Sequence, residues 1–124
     1  MLQPGELDPA LYEFDRALRI RPDSAATYTM IGSVYIHKGE IQKAMSLLNT
    51  AINGKPDYAP AHYYKAKALL TSGLPAEAKR ELELALHYAN MSYDRNLVER
   101  IKGYIKEGSI EKIRMEDLSM PLNR

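Results

Sequence analysis

A shift of 34 residues lays the chain on itself, and this period constrains its fold more than any other feature. Gly5 falls on Gly39 and Gly39 on Gly73; Ala10 falls on Ala44 and Ala78, Phe14 on Leu48 and Leu82, and Ala17 on Ala51 and Ala85. Pro22-Asp23 meets Pro56-Asp57 in the same register. Small and apolar residues that return in phase over this distance describe one supersecondary unit used repeatedly, each copy burying its apolar face on the next.

The unit is helical. β-Branched residues and strict alternation are scarce, while Ala, Leu, Lys and Glu recur at spacings of three and four. Asp8-Pro9 supplies a capping carboxylate followed by a proline suited to a first turn, which predicts a helix over 9–21 ending before Pro22. Further helices are predicted over 24–38, 41–53, 59–72, 75–89 and 93–107, the last capped by Ser92. The fold class is all α.

Residues 25–58 resemble a tetratricopeptide repeat: Tyr28, Ile31, Gly32, Tyr35, Ala44, Leu48, Ala51 and Pro56 stand at that repeat's large, large, small, large, small, large, small and proline places. The resemblance covers about residues 5–107. It implies a right-handed α-solenoid of antiparallel helix pairs, in which Gly32 on one helix faces Ala44 and Ala51 on the next and lets the two approach closely. Gly39 serves the turn between them, where a left-handed backbone suits glycine.

The whole chain, 1–124, is then a single domain with a half repeat at 1–24, repeats at 25–58 and 59–92, a terminal helix at 93–107 and a tail at 108–124. The second repeat departs from the pattern. His62 and Lys65 take places usually large and apolar, and Asn90 replaces the proline. Either Lys65 lies along the surface with its ammonium in water, or its helix is rotated. The terminal helix puts Leu97, Val98, Ile101, Tyr104 and Ile105 on one face, as the end of a stack requires. The tail has Lys112 and Glu116 where another repeat would want apolar residues, so it is not a further copy.

Charge and composition narrow the function classes. Seventeen Lys and Arg against sixteen Asp and Glu leave no bulk field for nucleic acid or an acidic membrane, although local patches remain open. Arg16, Arg19 and Arg21 cluster, but Asp15 and Asp23 flank them. No cysteine is present, which removes disulfides, thiolate nucleophiles and cysteine-bound zinc. No apolar run approaches membrane-spanning length, and the first residues do not read as an export signal; the expected setting is cytoplasmic. The Asn90-Met91-Ser92 sequon therefore carries no weight.

Catalytic motifs are missing: no HExxH, no GxxxxGK[ST] and no Gly-rich dinucleotide loop occurs. His37, His62 and His87 fall on different helices and read as surface or groove residues rather than metal ligands, and Glu77, Glu81 and Glu83 read as a solvated helix face. No enzyme activity, cofactor or metal is expected.

What the resemblance implies instead is protein binding. In this family the first helix of each repeat lines a groove for a peptide or a partner's helix, which carries over here to Thr29, Ser33, Ile36 and His37, then Tyr63, Tyr64, Lys67 and Thr71. Adjacent tyrosines suit an interface, although Tyr64 also fits packing between repeats. The clamp by which one subgroup holds chaperone tails is not reproduced, since its places hold Thr29, Ser33, Tyr64, Asp94 and Val98. The expected role is a non-catalytic adaptor or scaffold; the alternative is a regulatory or assembly domain cut from a larger protein or enzyme. Helix 9–21 presents Ala10 and Ala17 with no first helix before it, so either the array is longer, or the tail covers this face, or a second copy does so in a homodimer.

Overall fold

A computed structural model describes residues 4–106, with side chains from Pro9 to Ile105. Among the described residues there are six helices and no strand: α1 (Pro4–Ile20), α2 (Ala25–Lys38), α3 (Ile41–Gly54), α4 (Ala59–Thr71), α5 (Pro75–Met91) and α6 (Arg95–Lys106). Each packs on the next in chain order, most extensively α2 on α3 and α4 on α5. The first helices of these two pairs, α2 and α4, also touch each other. That combination defines a helical repeat solenoid.

Local chemistry sets the boundaries. Ser24 caps α2, its Oγ accepting from the Thr27 backbone N–H at 3.2 Å. Gly39 ends α2 with φ 83°, and Gly73 sits at φ 78° in the turn before α5. In both turns the glycine N–H and the following N–H reach back to carbonyls of the last helical turn, the Schellman arrangement that needs a left-handed residue.

Two helix starts differ from the sequence expectation. α1 begins at Pro4, with Pro9 inside the helix rather than opening it. Pro4 has the fixed φ suited to a first helical position, and Pro9 forfeits a single backbone donor. α6 begins at Arg95, not 93, and its cap is Asp94 rather than Ser92. Asp94 Oδ1 accepts from the Leu97 N–H at 3.1 Å, while Ser92 closes α5 and donates to the Ala89 carbonyl at 3.2 Å. α5 accordingly runs two residues past its predicted end at 89.

The core follows the 34-residue pattern of alternating large and small residues. Leu48, Leu82 and Ile101 are fully buried, each worth about 2 kcal/mol relative to exposure. Ala44, Ala51, Ala66, Ala78 and Ala85 lie buried around them. A Cβ added to Gly32 would fall 2.9 Å from Leu48 Cγ and 3.5 Å from the Ala44 carbonyl oxygen. The close approach at Gly32 is therefore real, and the residue that presses on it is Leu48 rather than the small Ala51. The predicted tail at 108–124 lies outside the described residues.

Candidate interaction face

The first helices α2, α4 and α6 carry the residues that the sequence places at a binding face. On α2, Thr29 and Ser33 are buried and spend their hydroxyls on their own backbone: Thr29 Oγ1 donates to the Ala25 carbonyl at 2.8 Å and Ser33 Oγ to the Met30 carbonyl at 2.7 Å. Ile36 is half-buried. His37 is exposed and its Nδ1–H donates to the Ser33 carbonyl at 2.9 Å. This helix offers a partner little unsatisfied polarity.

On α4 the structure brings the predicted residues together. Tyr63 is 3% exposed and belongs to the core. Tyr64 is half-buried, and its ring meets that of Tyr63 edge-on at 5.2 Å. Tyr104 of α6 packs on the other side of Tyr63 at 5.9 Å. Lys67 Nζ lies 5.4, 5.7 and 5.3 Å from the Tyr63, Tyr64 and Tyr104 ring centres, so three aromatic faces surround one ammonium. Burial, and secondarily Arg100, holds Lys67 below the ordinary lysine basicity. Thr71, one turn on, is exposed and donates to the Lys67 carbonyl at 3.0 Å. Tyr104 and Arg100 were not in the predicted set; they lie one turn apart on α6, a spacing that puts both on one face.

The opposite side of α4 carries a second cluster, which the sequence reading assigned differently. His62 is buried at 5% exposure rather than lying at the surface or in the groove. Its Nε2–H donates to the Pro56 carbonyl at 2.7 Å, and its Nδ1 lies 2.7 Å from Glu81 Oε1 on α5. The Pro56 carbonyl can only accept, so Nε2 bears hydrogen, and the second bond places one further proton between Nδ1 and the carboxylate. Glu81 is 13% exposed at its side chain and is not part of a solvated face; Glu77, one turn away, is exposed. Lys65 Nζ stands 3.9 Å from the other oxygen of Glu81 with its side chain 23% exposed, so its ammonium lies beside a carboxylate rather than in open water. No buried side-chain nitrogen or oxygen among the described residues lacks a hydrogen-bond partner.

Among the described residues no three His, Asp or Glu side chains converge as metal ligands. No helix among them is long and apolar enough to cross a membrane. Tyr58, at the start of α4, holds its proton more tightly than an ordinary tyrosine because of burial, then Asp94 and Tyr64.

The period, the consecutive helix pairs and the Gly32 crossing define a class of helical repeat protein, and comparison with known proteins agrees. The tetratricopeptide repeat family model matches residues 38–100, just over half of the 124-residue chain. The chain belongs to the tetratricopeptide repeat family. It is similar to Tetratricopeptide repeat protein 33 of Xenopus laevis, with 29% identity over 87 residues, covering 70% of this chain and 34% of the relative. The chain thus spans about a third of the length of the curated relative it matches. Tetratricopeptide repeats generally mediate protein–protein interaction.

Proposed function

We propose that this chain is a non-catalytic adaptor that holds a partner's peptide or helix on the face formed by α2, α4 and α6. The observation that carries the reading is the half-buried Lys67 among Tyr63, Tyr64 and Tyr104, which puts a cation and large amphipathic rings at one spot on the face formed by these first helices. Such surfaces suit protein contacts because tyrosine offers area at low entropic cost. Tyr64, Lys67 and Thr71 make the contact, Ile36 and His37 extend it, and Tyr63, Thr29 and Ser33 support it from beneath. The test is cross-linking capture of partners with the native chain and with Tyr64→Ala/Lys67→Glu. Tyr63 is left intact because its removal would open the core. The double variant is expected to lose the captured partners while keeping its helical circular dichroism; retention of every partner would place binding elsewhere.

A second form of the same reading is that this array serves as a regulatory or assembly domain of a larger protein or enzyme. We also retain the homodimer through α1. Phe14, Ala17 and Leu18 are half-buried, Ile20 is exposed, and α1 packs chiefly on α2. Light scattering should show a dimer that Ala17→Glu dissociates, and a monomer at all concentrations would reject it.

A further inference from the structure

The near-neutral charge of the whole chain conceals a separation between its helices. α2 and α4 contain no carboxylate and carry Lys38, Lys65 and Lys67; α6 carries five charged residues of which Glu99 alone is acidic. α1 has four carboxylates against two arginines, and α5 has three against two basic residues. α4 and α6 are therefore net positive and α1 and α5 net negative, while α2 and α3 carry one lysine and no carboxylate each. Lys65 faces Glu81 and Lys38 faces Glu40; of the other cations on these helices, Lys67 and Arg100 are the two placed together by Tyr104. Among the described residues, neither has a carboxylate within 4.0 Å.

These two cations act at one place. Lys67 Nζ lies 5.3 Å from the Tyr104 ring centre, and Arg100 precedes Tyr104 by one helical turn on the same face. Burial, and after it the neighbouring Arg100 charge, disfavour the ammonium, and an incoming anion would oppose both. Arg100 is exposed and has the planar fork that matches a carboxylate. Tyr64 beside them supplies apolar area next to the charges. A ligand suited to all three has carboxylates on a backbone with apolar side chains between them. A polyphosphate would match the charges but leave that apolar area unused, whereas a single-stranded nucleic acid can stack a base on tyrosine and is therefore an arm of the test.

We propose that the interaction face selects an acidic protein segment, with one side-chain carboxylate seated between Lys67 and Arg100 and a neighbouring apolar side chain against Tyr64. This rests on the adaptor reading above and specifies its partner. The occupant belongs to another protein. The chain's own Glu116-Asp117-Leu118, which lies outside the described residues, has similar chemistry and is one arm of the test.

Fluorescence anisotropy with the full chain provides the experiment, using a terminally blocked decapeptide of alternating Glu and Leu, its Gln–Leu counterpart, and a ten-nucleotide single-stranded RNA. The Glu–Leu peptide should bind with an affinity that falls as salt is raised, and Lys67→Gln and Arg100→Gln should each weaken it about tenfold, with circular dichroism unchanged. Gln–Leu binding at equal strength and still sensitive to Tyr64→Ala would overturn the acidic selectivity and leave the adaptor reading standing. Tighter binding of the RNA overturns the proposal. So does failure of all three probes, while the adaptor reading is judged separately by partner capture. Binding that emerges only in Glu116→Gln/Asp117→Gln assigns the site to the chain's own tail and overturns a partner in trans.

Discussion

Two helix pairs of one architecture, α2–α3 and α4–α5, solve the same packing problem with different chemistry. At three equivalent places the first pair has Tyr28, Ile31 and Leu47, and the second has His62, Lys65 and Glu81. One bond is common to both. Tyr28 Oη donates to the Pro22 carbonyl at 3.0 Å, and His62 Nε2 donates to the Pro56 carbonyl, 34 residues on, at 2.7 Å. The repeat needs a donor that ties its first helix to the preceding turn, and either an aromatic hydroxyl or an imidazole meets that need. The remainder of the place is then free to be apolar, or ionic if every polar atom is paired, as His62, Lys65 and Glu81 are.

The largest difference to exploit is the helix crossing. At equivalent places the first pair has Gly32 and the second Ala66. Gly32→Leu should lower stability by about 3 kcal/mol, because the new side chain must displace the fully buried Leu48. Urea denaturation reads this directly, and an unchanged midpoint would remove Gly32 from the crossing. Next in size is the ionic cluster. Glu81→Leu leaves the buried Nδ1 of His62 without its partner and should cost about 1–3 kcal/mol. The triple change His62→Tyr/Lys65→Ile/Glu81→Leu installs the first pair's solution and should be as stable as the parent, or up to about 4 kcal/mol more stable. A triple variant no better than Glu81→Leu alone would show that the two pairs are not interchangeable.

A smaller effect comes from the turns. Tyr93 has φ 58° and is 89% exposed, and its N–H and that of Asp94 bond back to Asn90 and Ala89. It occupies the left-handed place that Gly39 and Gly73 take in the turns within the pairs. Tyr93→Gly should therefore stabilise the chain by about 1 kcal/mol by relieving backbone strain. No gain in melting temperature would mean that the exposed ring contributes more than the strain removes.

The smallest effect separates the interaction face by pH. Lys67 in the folded chain gives up its proton below the unfolded value of 10.5, so the unfolded state binds more protons as pH rises through the lowered folded value. Stability relative to Lys67→Met should then rise with pH as Lys67 discharges. Tyr58 acts in the opposite sense: its raised pKa makes its contribution fade as pH climbs past 10.0. Thermal melts of both chains as pH is raised toward 10.5 test the first trend, and a constant difference would contradict it.

Much of this architecture was legible in the sequence. The period placed the helix pairs, and Gly39 and Gly73 have the positive φ of turn residues because a left-handed position leaves a local composition signal. The start of α1 was less legible, since Pro4 and Pro9 both fit a first turn. The His62–Glu81 bond joins residues 19 apart on two helices, and nothing local distinguishes a buried glutamate from its exposed neighbours. Tyr63 and Tyr64 are adjacent in sequence, and only the rotation of α4 against α6 buries the first and leaves the second partly accessible. Arg100 has no sequence signal of its own and Tyr104 reads only as part of the terminal helix's apolar face, because α6 lies beyond the two full repeats that resemble the family most.

On the proposed reading the pairs also divide the work: the first satisfies its polar groups internally, and the second presents Tyr64 and Lys67 beside Arg100 and Tyr104. Nuclear magnetic resonance mapping of backbone amide shifts with the blocked Glu–Leu decapeptide tests this division most directly. The account predicts that the largest shifts fall on α4 and α6 around Tyr64, Lys67, Arg100 and Tyr104, with α2 weakly affected near Ile36 and His37. A footprint centred on Thr29 and Ser33, or on α1, α3 and α5, would contradict it.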